Sequence, residues 1–332
     1  MINRINLVES TKRNLYEWYL ESYDLHETKF DKCFDVRDVS SGSYDQSTSV
    51  VSLGKLDEVD EGETLPTLAT AEGFTTYGKF IKFGDIITVN QEVVEDNTKS
   101  ENFMRELANS LSESVHWTLE SHFAKILTLG GFAAGHAFFN ESIAGVLTYS
   151  PGNYIYDSKP LFVLTGDNHV SKSAANSTGY FNNLNEVLSP QTLEKALLKL
   201  IADNNRNEKD EIVDLGSNFV LVVAPQLLPA AERIVKSDFL SGTDQNDVNI
   251  LRDRFTIVPW QFLNNTAATG GAATNWYVGV AKKGIRIYRR RAPSIDFYYD
   301  ENTETYKVKI SMRYGKMVQN WRYWVAGKTP AA

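Results

Sequence analysis

Asp57-Glu58-Val59-Asp60-Glu61-Gly62-Glu63 puts five carboxylates and one glycine into seven residues, the composition of an exposed turn rather than of a packed element. Before it, a small polar run (Ser40-Ser41-Gly42-Ser43) leads into Ser47 to Leu56, which alternates weakly as a strand. After it, Thr64 to Phe80 is extended again, so residues 40–80 read as a long hairpin with an acidic tip. Two strands alone are marginal in water. This hairpin therefore needs a surface outside itself to lie on.

Working outward, Ile81, Phe83, Ile87 and Val89 predict a strand over 81–94 that enters a core. Thr98-Lys99-Ser100-Glu101 matches a capping box at a helix start. Met104, Leu107, Leu111, Val115, Leu119, Phe123, Ile126 and Leu127 then trace one apolar stripe up to Gly130-Gly131. That helix, 98–129, would run about 45 Å, the length of a strut. Upstream, Leu15, Trp18, Tyr19 and Tyr23 predict a helix from roughly Arg4 to Tyr23.

Downstream, 131–187 is loop-rich, with a short strand expected at Leu161–Leu164. Ser189-Pro190 opens a helix buried through Leu193, Leu197, Leu200 and Ile201. Phe219–Val223 is a strand buried on both faces; a helix follows Pro225 to about Lys236, and strands follow at Phe255–Val258 and Trp276–Val280. The C-terminal part is all strand: Ile285 to Tyr299, a turn at Asp300-Glu301-Asn302-Thr303, and the alternation Tyr306, Val308, Ile310, Met312, Tyr314. Lys307, Lys309 and Arg313 fall on the opposite face of that last strand.

The 332 residues are 42% hydrophobic and 23% charged, enough for a packed core and too apolar for a disordered chain. With Gly and Pro together only 30 residues, collagen-like and low-complexity classes are excluded. The length fits about two folding units, or one large one. No apolar run is long enough to span a membrane, and no apolar h-region follows Arg4, so no secretory signal is expected. Cys33 is the only cysteine, so neither an internal disulfide nor a cysteine-based metal site is available, consistent with a reducing compartment.

The net charge of −8 conceals a polarity. Residues 276–332 hold twelve Lys/Arg against four acids, which leaves about −16 on the first 275 residues. Such asymmetry calls for a neutralising partner. The candidates are the acidic tip (Asp57, Glu58, Asp60, Glu61, Glu63) and the basic run Lys282, Lys283, Arg286, Arg289, Arg290 and Arg291. Basic side chains interleaved with Tyr and Ile have two functional readings, a nucleic-acid surface or a dock for another subunit's acidic tip, beside a plain solvated face. An acidic feature on an arm without a core favours subunit docking.

Nothing marks a catalytic centre. His116 and His122 are six residues apart, the wrong spacing for a shared zinc face, and all five histidines (His26, His116, His122, His136 and His169) read as ordinary surface or interface histidines. Gly130 to Gly135 follows a helix instead of opening one, so it reads as a helix stop and not a phosphate cradle. The acidic run lacks the alternating ligands of a calcium loop. No metal, cofactor or catalytic residue is expected.

The middle of the chain carries Tyr156-Asp157-Ser158-Lys159-Pro160-Leu161-Phe162, Asn168-His169, Asn182-Asn183-Leu184 and Leu188-Ser189-Pro190. It continues with Phe219 to Pro225, Ala230-Ala231-Glu232-Arg233-Ile234, Asn249-Ile250-Leu251 and Trp276-Tyr277-Val278. In serial order these segments, over about 150–280, resemble the Mu-like prophage major head subunit family. The order of elements over the whole chain resembles the α+β, HK97-like fold of tailed-phage major capsid proteins. That resemblance implies an N-terminal arm (1–39), an extended E-loop hairpin (40–80), a peripheral domain (81–134 and 276–332) built on the spine helix, and an axial α/β domain (135–275).

It further implies a structural head protein and not an enzyme, one that self-assembles as hexamers and pentamers into an icosahedral shell around double-stranded DNA in the host bacterial cytoplasm. Portal, scaffold and decoration proteins are the other partners it implies, with non-specific contact to packaged DNA and none to membrane. The C-terminal strands depart from the family in being more basic, and no N-terminal scaffolding segment is evident, which implies a separate scaffold or none. Lys55 sits where some shells of this type crosslink a hairpin Lys to a neighbour's Asn. Three alternatives stay open: an encapsulin-like compartment shell, an α/β hydrolytic enzyme, and a DNA-binding protein proper.

Overall fold

A computed structural model describes residues 4–50, 56, 58–65, 67, 72–92, 100–132, 155, 157, 159–170, 180–207, 211–239, 248–264 and 271–327. The chain opens with helix α1 (Arg4–Leu25) and a single turn, α2 (Phe30–Cys33). Three strands follow, β1 (Asp35–Asp38), β2 (Tyr44–Val50) and β3 (Glu72–Asn90). Next come α3 (Ser100–Leu127) and a further turn, α4 (Leu129–Phe132). After α5 (Pro190–Leu198) the chain alternates: β4 (Phe219–Val223), α6 (Leu228–Lys236), β5 (Phe255–Pro259) and β6 (Trp276–Val280). The long strands β7 (Ile285–Asp300) and β8 (Thr305–Val318) and the short β9 (Trp324–Gly327) complete it.

The hairpin and the strand expected after it are one element. β3 runs for 19 residues and changes partner midway: Glu72 to Lys79 pair antiparallel with β2, whereas Phe80 to Asn90 pair antiparallel with β8. The result is a five-stranded sheet of order β1-β7-β8-β3-β2. Its helix-facing residues include Phe83, Ile87, Val308, Ile310, Met312 and Tyr314, which share one core with Leu111, Val115, Leu119 and Phe123 of α3. The apolar stripe read from the sequence is thus the buried edge of the spine helix. Leu15 and Tyr19 of α1 join the same core.

The second sheet has four strands in the order β5-β4-β6-β9. All five residues of β4 and of β6 are buried, as their unbroken apolar runs require. Ser189 caps α5 through a capping box with Thr192, and Pro190 occupies the first turn. β6 and β9 belong to this sheet although both fall in 276–332, so the boundary expected at residue 275 does not separate the sheets. The reason is steric fit between distant strands. Trp324 lies opposite Gly279 and Trp276 opposite Gly327, and each glycine leaves the room that an indole fills.

Other expectations shift. Leu161–Leu164 is irregular, not a strand; its backbone is held by Asn182, whose Oδ1 accepts from Val163 N–H at 2.9 Å. Gly131 is more than a helix stop: a Cβ there would meet the Phe162 ring at 2.8 Å. β1 was not foreseen, because Asp35-Val36-Arg37-Asp38 holds a single apolar residue and so carries no apolar period. Thr98 and Lys99 of the capping box, together with Lys55, Asp57, Tyr156, Ser158 and His136, lie outside the described residues.

Candidate docking surfaces

No described side chain of β2 is buried, and none of its residues belongs to an apolar core. At the far end Glu58, Asp60, Glu61 and Glu63 are all exposed. Gly62, at φ +92°, supplies the left-handed residue of a turn closed by Glu63 N–H donating to the Asp60 carbonyl at 3.2 Å. Leu56 and Leu65 flank the turn at 81% and 77% exposure. The tip is therefore an acidic turn between two uncovered leucines.

The basic run is largely spent within the chain. β1 pairs in parallel with β7 so that Asp35 stands opposite Arg286 and Asp38 opposite Arg289. Arg286 Nε donates to Asp35 Oδ2 at 3.1 Å. Arg289 holds both Asp38 oxygens, Nε to Oδ1 at 2.5 Å and Nη2 to Oδ2 at 2.9 Å. These bonds hold the Asp38 carboxyl below its usual range and push Arg289 above its own. Lys283 Nζ donates to the Leu215 carbonyl at 3.0 Å and Arg290 Nε to Gly42 O at 3.4 Å. Lys282 and Arg291 alone of the six have no side-chain hydrogen bond or ion pair among the described residues, and both are exposed.

A second cationic feature was not singled out in the sequence. Register places Lys82 of β3 opposite Arg313 of β8, and Arg313 opposite Arg291 of β7. The three form one row across three strands on the sheet face away from α3. The Arg313 guanidinium lies 5.9 Å from the Phe80 ring centroid. None of the three has an ion pair among the described residues, whereas their neighbours on that face, Lys307 and Lys309, pair with Asp300 and Asp296.

Polar groups also lock the frame beneath these surfaces. Glu120 of α3 is buried and accepts the N–H of Lys29 at 2.5 Å and that of Phe30. It thereby ties the chain between α1 and α2 to the spine helix. Burial pushes its carboxyl up to about 7, against the lowering effect of those N–H groups. His116 Nε2 donates to the Tyr23 carbonyl at 3.1 Å, and its ring stacks on Tyr23. His169 is fully buried, with Nδ1 at 2.6 Å from Asp157 Oδ2 and the ring stacked on Trp321. Neither His116 nor His169 is an ordinary surface histidine. Residue type alone could not tell, since the partners lie 93 and 12 positions away.

Among the described residues no cluster of three His, Cys, Asp or Glu side chains is placed to hold a metal ion, and no helix is long and apolar enough to cross a membrane.

Among curated proteins no sequence matches the chain. Three solved capsid or particle structures share its fold. The capsid of Cyanophage P-SCSP1u is 15% identical, with TM-score 0.52 and coverage of 92% of this chain and 89% of that one. The mature capsid of bacteriophage PhiM1 is 10% identical, with TM-score 0.53 and coverage of 92% and 88%. A virus-like particle from Pyrococcus furiosus is 9% identical, with TM-score 0.51 and coverage of 95% and 98%. The architecture is HK97-like, and neither the compartment-shell nor the hydrolase alternative is favoured. The model of one family, described as "Phage capsid protein", matches residues 73–327, from the return arm of the hairpin to the last strand, and the chain accordingly belongs to the phage capsid protein family as a major capsid protein.

Proposed function

We propose that this chain is the major head subunit of a tailed bacteriophage or prophage, and that copies of it close as hexamers and pentamers into an icosahedral shell around double-stranded DNA. The observation that carries the reading is the partner switch in β3. From Phe80 onward the strand is backed by β8 and α3, while from Glu72 to Lys79 it pairs only with β2, which has no buried side chain among those described. A two-stranded ribbon of this kind is stabilised by what it lies on. A second copy of the same chain supplies that surface, and obligate interfaces of this sort bury on the order of 2,000 Å² or more.

In this reading residues 1–39 form the arm, 40–80 the E-loop, 81–134 with most of 276–332 the peripheral domain, and 135–275 with β6 and β9 the axial domain. The acidic tip (Asp57, Glu58, Asp60, Glu61, Glu63) meets cations of a neighbouring subunit. The serial motifs of the middle resemble those of the Mu-like prophage head subunits, and the reading takes the chain as one of that group. In support, Asp157, His169 and Asn182 from those motifs converge on one buried polar cluster. Assembly takes place in the host cytoplasm, with portal, scaffold and decoration proteins as further partners of the shell.

Negative-stain electron microscopy and sedimentation of the purified full-length chain test the proposal. Closed shells with five- and six-fold clusters are expected. A compact monomer at high concentration, resistant to protease across 40–80, would refute it.

A further inference from the structure

We infer that the row Lys82–Arg313–Arg291 is the receptor for the acidic tip of a second copy of this chain; the inference rests on the shell reading above and names the surface that the tip meets. Adjacent strands bring each of these side chains to within about 5 Å of the next at Cβ, so the row spans roughly 10 Å. Like charges directly across strands repel. The same face neutralises its other cations internally, Lys307 with Asp300 and Lys309 with Asp296, and leaves this row without an acid among the described residues. The row is thus an uncompensated cationic site among the described residues, and an anion that seats on it gains three cations at once.

The tip fits in charge and in size. Asp60, Glu61 and Glu63 project from one turn whose ends lie within about 7 Å, a span the row can meet with one carboxylate per cation. Apolar neighbours match as well. Ile86 and Tyr298, beyond the row on the same sheet face, are 49% and 40% exposed, and Leu56 and Leu65 beside the tip are more exposed still. Lys283, Arg286, Arg289 and Arg290 have partners within their own chain. Arg291 belongs to both sets and links the basic run to this row. Lys82 lies on the same strand as the hairpin's return arm, and β3 carries the chain about 33 Å from Lys82 to Glu72.

The test uses full-length protein freed of nucleic acid by nuclease. Arg291→Glu with Arg313→Glu, and separately Glu61→Lys with Glu63→Lys, are each expected to lower the pelletable shell fraction at least tenfold. All four substitutions in one chain should restore at least half of it. A row-reversed chain that assembles like wild type overturns the inference and leaves the shell reading standing, whereas a wild-type chain that never assembles overturns both. Row reversal that preserves shells but abolishes binding of a short double-stranded DNA added back to the nuclease-treated protein assigns the row to phosphate and overturns the inference too. As a check independent of variant folding, Glu61→Cys and Arg291→Cys chains are mixed and oxidised. A disulfide-linked dimer of the two chains is expected, and assembled particles without it count against the assignment.

Discussion

Glu120, buried on α3, accepts the backbone N–H of Lys29 at 2.5 Å, so a single carboxylate fastens the segment between α1 and α2 to the longest helix described. Its second oxygen is buried with no hydrogen-bond partner, and burial outweighs the two N–H donors to leave the group near pH 7.

The consequence is a pH dependence of known sign. The folded state keeps the Glu120 proton up to about pH 7 and the unfolded chain loses it near its ordinary value of 4.5, so stability falls as pH rises through that window. The total effect is on the order of 3 kcal/mol. Glu120→Gln keeps an acceptor for Lys29 and should remove the slope. Glu120→Ala leaves two N–H groups without it and should lose about 1–3 kcal/mol at every pH. Denaturant titrations from pH 4.5 to 8, with hydrogen exchange at 26–34, measure both.

His122 works in the opposite direction. Burial, then Lys316 and Lys125, push it down to about 2, so the folded chain holds it neutral while the unfolded chain protonates below 6.5. Its contribution rises with pH up to 6.5 and is lost on acidification. Between pH 4.5 and 6.5 the two slopes, each up to about 1.4 kcal/mol per pH unit, oppose one another. His122→Gln should tilt stability downward with rising pH, and Glu120→Gln should tilt it upward. A flat profile in both variants would refute the assignment.

Asn182 joins three separate backbone segments. Its Nδ2 donates to the Leu161 and Trp324 carbonyls at 2.7 and 3.0 Å, and its Oδ1 accepts from Val163 N–H. Asn182→Ala leaves these groups buried and unpaired, and a loss of about 2–4 kcal/mol is expected in chemical denaturation. Asn182→Asp should be nearly as costly, because a carboxylate cannot donate to the two carbonyls.

Gly279 faces Trp324 across β6 and β9, and a Cβ there would come within 2.5 Å of the indole. Gly279→Ala should therefore destabilise the four-stranded sheet by about 1–3 kcal/mol through overpacking. Gly279→Ala combined with Trp324→Leu should recover part of that loss, as measured by the midpoint of thermal unfolding.

The spine helix, the buried β4 and β6, the capped α5 and the alternating β8 were legible because each is written in a local period: 3.6 residues for α3, two for β8, an unbroken apolar run for β4. The exposed acidic tip was legible for the same reason, since seven consecutive residues suffice to exclude burial. The continuity of β3 through Lys79 and Phe80 was not, because nothing local marks where a strand exchanges one partner for another. Nor was the irregular 161–164 segment, whose apolar run is held by Asn182 from 19 positions away.

The basic C-terminus shows where the two kinds of information divide. Composition alone determined that this chain carries opposite charge at its two ends and an acidic turn between two extended arms. Which cations remain available was decided only by tertiary structure. Arg289 meets Asp38 across 251 positions of sequence through the parallel β1–β7 register, while Lys82, Arg313 and Arg291 are brought side by side with no carboxylate between them. The physical reason is range. Periodicity is set by neighbours along the backbone, but the balance of a charge is set by whatever folding brings within a few ångströms, and strand register is what selects it.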